Sequence, residues 1–147
     1  MSNTIGSKPV AKRFGYILKR AQQSLRARMD LELRAHGLTT PQYAVLSAVA
    51  VSPGISNADL AKSAFVTPQT MQGIIAMLEK RGLLERSPDP DHGRRLMTQL
   101  TANGRRAMKS ADATIKKVEA MMISSISSYE IKQATNTLLA CIENLAE

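Results

Sequence analysis

Residues 56–101 read SNADLAKSAFVTPQTMQGIIAMLEKRGLLERSPDPDHGRRLMTQLT, and the order of segments in this stretch decides the fold. The first segment, residues 57–64, is short and amphipathic, and its pattern breaks at Phe65. A second helix is predicted to open at Thr67, whose hydroxyl can accept a hydrogen bond from an unpaired N–H group of the first turn. Pro68 suits the first helical position, where no N–H donor is needed. The stretch therefore predicts two helices joined by a short turn.

The second helix has one apolar face and one polar face. Met71, Ile75 and Leu78 recur at helical spacing and are predicted to pack inward. The opposite face offers amide and hydroxyl groups, which can exchange hydrogen bonds with base edges in a major groove. A polar helix face is also often merely solvated, so this helix alone leaves both interpretations open. The residues predicted to contact DNA from this helix are Thr67, Pro68, Gln69, Thr70 and Gln72.

A β-hairpin is predicted to follow the second helix. Residues 83–87 and 96–101 read as its strands, and the polar tip at residues 88–94 is rich in proline and glycine, which favour a turn. A protruding basic loop suits contact with phosphates or insertion into a minor groove, although a basic turn alone would also suit plain exposure to solvent. The predicted DNA contacts on or near this turn are Arg86, His92, Arg94 and Arg95. Helix, turn, helix and hairpin in this order predict a winged helix-turn-helix unit that reads DNA.

Three segments of the chain resemble the MarR family, the multiple-antibiotic-resistance-type regulators. They read GLTTPQYAVL (37–46), ADLAKSAFVTPQTMQGIIAMLEKRGLLERSPDPDHGRR (58–95) and QLTANGR (99–105). The most specific pieces are L-E-K-R-G-L at 78–83 and L-T-x-x-G at 100–104. The resemblance implies a dimeric winged-helix transcription regulator that binds a pseudo-palindromic operator.

The tip of the hairpin departs from the family pattern. Many members carry an Asp-Arg-Arg run there, whereas this chain has His92-Gly93-Arg94. Arg94 matches the arginine that inserts into DNA, and Asp89 or Asp91 would replace the carboxylate that orients it.

The resemblance also implies a small phenolic or other lipophilic effector. In similar proteins such molecules bind between the dimer helices and the DNA-binding lobe, in a crevice that the first, second and fifth helices would wall here. Tyr16 and Tyr43 are predicted lining residues, although aromatic residues at helical spacing more often belong to a core. A ligand that prefers one spacing of the two DNA-binding lobes would shift the population away from the DNA-competent state.

The composition favours one domain and a nucleic-acid partner. The chain has 147 residues, enough for a single core, and its net charge of +8 suits a polyanion. Aromatic residues make up only 3%, which argues against single-strand binders that stack bases. The single cysteine, Cys141, and the lack of an apolar signal segment predict a reducing cytoplasm. No apolar stretch approaches the ~20 residues that span a membrane.

No chemistry of a catalytic or metal site stands out in the sequence. There is no phosphate-cradling glycine loop, no metal-ligand spacing and no nucleophile with an obvious base, which argues against an enzyme. His36 and His92 are the only histidines, which is too few for a metal cluster. Cys141 lies on or beside the apolar face of the last predicted helix, which favours packing over redox sensing. We therefore predict no catalytic residue, no metal and no cofactor.

Long helices are predicted at both ends of the chain. The first runs over residues 10–36 and ends at Gly37, and Thr40 is predicted to cap the helix that follows it. Two more helices follow the hairpin, with a serine-rich break at residues 124–128. Their apolar stripes predict a homodimer, unless the first and last helices bury each other within one chain. The predicted dimer contacts are Phe14, Ile17, Leu18, Met121, Met122, Leu138, Ile142 and Leu145.

These observations together predict a mainly α protein with a small β-hairpin, that is, an α+β fold. Residues 1–147 are expected to form a single domain, in which a DNA-binding lobe at about 38–101 lies between dimerisation helices at about 10–36 and 102–147. The predicted function is that of a transcriptional repressor, which binds a specific sequence of double-stranded DNA and is released from it by a small molecule. Two alternatives stay open: a helical protein-interaction module, and a constitutive DNA-binding protein without ligand control.

Overall fold

The computed structural model describes residues 9–147, apart from the side chains of Arg94 and Arg95, so the first eight residues of the predicted domain lie outside the description. Within these residues the chain forms six α-helices and one β-hairpin. In chain order the helices and strands are α1 (Phe14–Leu33), α2 (Thr40–Val51), α3 (Asn57–Ser63), α4 (Pro68–Lys80), β1 (Leu84–Asp89), β2 (His92–Leu100), α5 (Ala102–Met122) and α6 (Ser128–Leu145). The mainly α architecture with a small hairpin is confirmed.

The first helix is shorter than predicted. A 3-10 turn, Val10–Lys12, comes first, and Arg13 then adopts an extended backbone, so that α1 begins only at Phe14. The backbone tightens to a second 3-10 turn after Leu33, and the left-handed Gly37 ends the segment as predicted.

The cap of α2 is Thr39, and the prediction of Thr40 was wrong. The hydroxyl of Thr39 accepts the N–H of Gln42, and the Gln42 side chain accepts the N–H of Thr39, which together form a capping box. The hydroxyl of Thr40 instead donates to the carboxylate of Asp30 on α1. This hydrogen bond lowers the pKa of Asp30 and ties the start of α2 to α1.

The core lies between the helix-turn-helix, α2, the base of the hairpin and the first half of α5. Met71, Ile75 and Leu78 of α4 are buried as predicted, and Leu46 and Leu60 are fully excluded from solvent beside them. Ser56 caps α3 and Thr67 caps α4, the latter as predicted. The whole buried cluster comprises Leu33, Leu38, Val45, Leu46, Val49, Leu60, Ala61, Ala64, Met71, Ile75, Leu78, Leu83, Leu84, Leu100, Ala111 and Ile115.

The hairpin is longer than predicted, and its turn is tighter. Its antiparallel register pairs Leu84 with Leu100 at the base. Near the tip, Asp89 pairs with His92, so the strands leave only two residues for the turn. The N–H of Asp91 donates to the Asp89 carboxylate at 2.9 Å, which closes the turn. The predicted polar tip at residues 88–94 therefore belongs mostly to the strands.

The two segments most specific to the family resemblance meet at the junction of hairpin and α5. The hydroxyl of Thr101 donates to the carbonyl of Gly82 at 2.6 Å and accepts the N–H of Gly104 at 2.9 Å, which caps α5. A Cβ atom on Gly104 would overlap the carbonyl oxygen of Leu83. The L-T-x-x-G pattern thus holds α5 against the end of α4 and the start of the hairpin.

The two terminal helices are attached to the core in different ways. Helix α5 packs through Ala111, Ile115 and Val118, all buried, whereas α6 buries no residue at all. Within residues 9–147, no helix has both the length and the apolar character that a membrane crossing requires.

Candidate nucleic-acid interface

The exposed face of α4 is the one that the sequence predicted. Met71, Ile75 and Leu78 are buried, so the helix rests on the core along its apolar stripe. Gly73 and Ala76 are exposed on the opposite face, and neither would hinder close approach of a duplex. All five side chains predicted to contact DNA from this helix are exposed: Thr67, Pro68, Gln69, Thr70 and Gln72.

Local hydrogen bonds fix the start of α4 and leave its amides free. The hydroxyl of Thr67 accepts the N–H of Thr70 at 3.1 Å and donates to the hydroxyl of Thr70 at 3.0 Å. The Asn57 side chain at the start of α3 donates to the carbonyl of Pro68 at 3.3 Å. Within the described chain, no side-chain hydrogen bond engages Gln69 or Gln72. Their amide groups are therefore available to an external partner.

The basic residues of the hairpin are more spread out than predicted. Arg86 lies in β1 opposite Thr98, below the turn, and its Nε is 3.1 Å from a carboxylate oxygen of Glu79 on α4. The prediction that Arg86 lies on or near the turn was wrong, because the strands extend further than the proline-rich tip indicated. His92 is exposed beside the turn. The backbones of Arg94 and Arg95 belong to β2, and their side chains lie outside the described structure.

Helix α4 and the hairpin share one groove. Gln72 and Arg86 both line a cavity of about 290 Å³, with Ile55 and Leu96 among its apolar walls. The ion pair between Arg86 and Glu79 links the two elements along this groove. The structure thus brings one predicted contact from α4 and one from the hairpin to a common surface.

The eight residues predicted to form a dimer contact are all exposed in the single chain. Phe14, Ile17, Leu18 and Leu138 line a groove of about 310 Å³ between α1 and α6. Met121 and Met122 line a second cavity, of about 400 Å³, between α1 and α5. Ile142 and Leu145 are 68% and 84% exposed. Because no residue of α6 is fully buried, the alternative in which the first and last helices bury each other does not account for these stripes.

Tyr43 and Tyr16 line none of the cavities described in this chain. The hydroxyl of Tyr43 donates to the Asp112 carboxylate on α5 at 2.6 Å. Burial, followed by this hydrogen bond, raises the pKa of Tyr43 to about 12, and the same bond lowers the pKa of Asp112. Tyr16 is exposed on α1. Their role at an effector site stays a prediction.

One cavity was missed in the sequence. It has a volume of about 490 Å³ and lies between the end of α2, β2 and the start of α5. Val49, Leu100 and Met108 form apolar walls, and Arg105 and Lys109 provide positive charge. These residues come from three separated segments, so only the fold assembles them. Leu100-Thr101 at the strand-to-helix junction was the one local signal pointing there.

The histidines and the cysteine serve local packing or remain at the surface. The Nε2 atom of His36 lies 2.7 Å from the hydroxyl of Thr114, which joins the end of the α1 segment to α5. Cys141 is partly buried on α6. Among the residues described, no group of three His, Cys, Asp or Glu side chains could hold a metal ion.

Comparison with known proteins identifies the family. A model of the MarR family matches residues 36–95. An HTH-type transcriptional repressor of Mycobacterium tuberculosis is 36% identical over 119 residues, which cover 81% of this chain and 86% of the relative. The chain belongs to the MarR family. As a MarR-family protein it is a DNA-binding transcriptional regulator and not an enzyme.

Solved structures of other MarR-family proteins share its fold. The M. tuberculosis MarR-family protein in complex with salicylic acid is 33% identical, with a TM-score of 0.74, over 87% of this chain and 95% of that one. The same protein in complex with DNA is 30% identical, with a TM-score of 0.69, over 87% and 96% of the two chains. The CouR regulator of Rhodococcus jostii, bound to p-coumaroyl-CoA, superposes with a TM-score of 0.83 over 92% and 95%, and at 24% identity it supports the fold alone.

Proposed function

We propose that this MarR-family chain is a homodimeric repressor that reads a pseudo-palindromic operator with α4 and the hairpin, and that a small molecule releases it. The observation that carries the proposal is the exposed polar face of α4, where the free amides of Gln69 and Gln72 lie near the start of the second helix of the helix-turn-helix. Amide side chains at the start of such a helix are suited to reading base edges in a major groove. A complex of the M. tuberculosis relative with DNA supports this reading.

The hairpin is proposed to reach the neighbouring minor groove. The β2 residues Arg94 and Arg95 would supply the positive charge there, and the exposed His92 would add a hydrogen-bonding side chain. Arg86 is proposed to contact phosphate from the groove that it shares with Gln72, where Glu79 holds its guanidinium group.

Dimerisation is proposed through α1, the end of α5 and α6. Phe14 and Leu138 line an apolar groove, and Ile142 and Leu145 are exposed on the same helix as Leu138, as expected of helices that meet a partner. A two-fold axis would place two α4 helices roughly 34–36 Å apart, one turn of DNA. In this arrangement residues 1–147 act as one domain, with a DNA-binding lobe at about 38–101 and dimerisation helices around it.

The effector is proposed to be a small aromatic or lipophilic molecule, most simply a phenolic one. Salicylic acid, found with the M. tuberculosis relative, is a suitable first probe. The tyrosines Tyr16 and Tyr43 remain the proposed lining, with the second copy of the chain completing the crevice. For an acidic effector, the cavity that holds Arg105 and Lys109 offers a second place in the same chain. We also propose a cytoplasmic location, which suits a regulator of DNA with a single cysteine.

The decisive experiment selects bound duplexes from a random pool and then measures their affinity at two salt concentrations. A steep loss of affinity at the higher salt and an enriched site with two related half-sites are expected. A helical protein-interaction module would enrich no sequence. A constitutive DNA-binding protein would enrich one, but salicylate and related phenols would leave its affinity unchanged.

A further inference from the structure

Phe65, in the turn between α3 and α4, combines two unusual features. Its side chain is 94% exposed, although phenylalanine is among the residues that most often lie inside proteins. Its backbone is left-handed, with φ of 55°, a conformation that L residues other than Asn and Asp rarely adopt. Packing therefore does not explain why phenylalanine occupies this position.

The backbone bonds around Phe65 identify the position as a helix-ending motif that normally holds glycine. The N–H of Val66 donates to the carbonyl of Ala61 at 3.0 Å, and the N–H of Phe65 donates to the carbonyl of Lys62 at 3.2 Å. This pair of bonds defines a Schellman motif, in which the left-handed residue is usually glycine.

The same chain places glycine at two other helix ends of this kind, one just before the DNA-binding lobe and one within it. Gly37 and Gly82 have φ of 65° and 71°, and the residues after them, Leu38 and Leu83, donate to Leu33 and Leu78 in the same pattern. Of these three helix ends, the one that follows α3 and precedes α4 holds a large side chain, Phe65, instead of glycine. The strain at Phe65 costs folding free energy and returns no burial within the chain.

The location of Phe65 indicates that an external partner could make contact with its exposed ring. It lies two residues before Thr67, the cap of α4, and four residues before Gln69 on the exposed polar face of that helix. An aromatic ring at this edge can make apolar contact with the C5 methyl group of thymine, which projects into the major groove. The preceding Lys62 is also exposed, so the ring lies in surroundings that suit a polyanion.

We propose that Phe65 is a specificity-determining DNA contact, whose ring packs against a thymine methyl group at the edge of each half-site. The proposal rests on the proposed DNA-binding function. It assigns sequence preference to a residue of the turn, in addition to the amides of α4. The side chain of Phe65 is exposed on this left-handed backbone. With glycine at this position the fold would be more stable, but no side chain would contact a base.

Two variants separate this role from a structural one. Phe65→Gly and Phe65→Asn both accept the left-handed backbone, so their thermal midpoints should equal or exceed that of the wild type. Affinity for the selected operator should nevertheless fall about tenfold, because an apolar contact is lost at each of two half-sites. Tyr129→Ala serves as the control, since Tyr129 is an exposed aromatic residue that by helical period lies on the face of α6 opposite the proposed dimer contacts Leu138 and Ile142.

Operators in which single thymines are replaced by uracil complete the test. At one thymine of each half-site, the replacement should weaken the wild type and leave Phe65→Gly unchanged. Equal operator affinity of wild type and both variants would overturn the proposal, and so would a loss of affinity that no uracil replacement reproduces. A wild-type chain that binds no duplex at low salt would instead refute the proposed function itself.

Discussion

Gly104 shows at the scale of one residue why a short sequence pattern is specific. Its hydrogen atom faces the carbonyl oxygen of Leu83, in space that a Cβ atom would have to share. We expect Gly104→Ala to lower the free energy of unfolding by about 2–3 kcal/mol, because backbone must move at a buried junction. Urea denaturation measures this change.

Gly73→Ala is the matched control for that substitution. Gly73 also lies within a helix, but nothing lies within 4 Å of the position that its Cβ would take. Alanine should stabilise α4 there by about 0.5–1 kcal/mol, since it has the higher helix propensity. If both variants changed stability equally, the junction between α5 and Leu83 would not be the tight contact described here.

Tyr43 predicts a dependence of stability on alkaline pH. Its folded-state pKa is raised to about 12, whereas tyrosine in an unfolded chain ionises near about pH 10. The folded protein therefore keeps the proton longer, so this stabilisation is complete below about pH 10 and is lost between about pH 10 and 12. Because Tyr43 is partly exposed, solvent screening limits the contribution to about 1 kcal/mol.

Tyrosinate absorbance during an alkaline titration measures this group directly. A transition near pH 12 should be present in the wild type and missing from Tyr43→Phe. Survival of that transition in the variant would show that it does not belong to Tyr43.

Gln69 and Gln72 test base reading residue by residue. Each alanine substitution should alter the preferred operator sequence, at about 1–3 kcal/mol per lost base contact, while leaving the fold intact because both side chains are exposed. Competition between operators mutated at single base pairs measures the change. A uniform loss across all sequences would mean that these amides contact the sugar-phosphate backbone.

Secondary structure was largely predictable where capping chemistry is local. Thr67-Pro68 predicted the start of α4 correctly, whereas the same pattern at Thr40-Pro41 misplaced the cap of α2 by one residue. The difference arises because Thr40 finds a tertiary partner in Asp30 and leaves the capping to Thr39. Sequence spacing does not reveal such a partner.

The lengths of the hairpin turn and of its strands were also not predictable from the sequence. Proline and glycine indicated a long tip, but the Asp89 carboxylate closes a turn of two residues and lets both strands continue. Arg86 consequently lies beside Glu79 and below the turn. The orienting role considered for Asp89 competes with this turn bond, which leaves Asp91 as the freer carboxylate.

Helix α6 carries the prediction for dimerisation. Ile142 is exposed in the single chain and would become buried at a two-fold interface, so Ile142→Glu should place a charge in apolar surroundings in both copies. We expect the dimer dissociation constant to rise by roughly a hundredfold or more. Sedimentation velocity over a dilution series measures it.

Asn136→Glu is the control for that charge. By helical period it lies on the face of α6 opposite Leu138 and Ile142, and it is exposed. It should leave the association unchanged. If the two variants dissociated the dimer equally, or neither did, the apolar stripe of α6 would not form the interface.

Across the whole molecule, the order of the helices and strands and the exposed polar face of α4 were predictable from the sequence, whereas the cavities were not. An exposed face of one helix follows from its own periodicity, as the burial of Met71 and exposure of Gln72 illustrate. The cavity with Arg105 and Lys109 depends on three distant segments, which periodicity does not relate. The structure is likewise needed to show that no residue of α6 is fully buried within the chain.

The central claim is that two copies of this chain hold one duplex through their α4 helices. Sedimentation equilibrium of the purified protein with an operator selected from random duplexes tests it most directly. We expect a complex with two 16.0 kDa chains per duplex, whose half-sites are centred about 10 base pairs apart. A complex of one chain with one duplex, or no complex at low ionic strength, would contradict it.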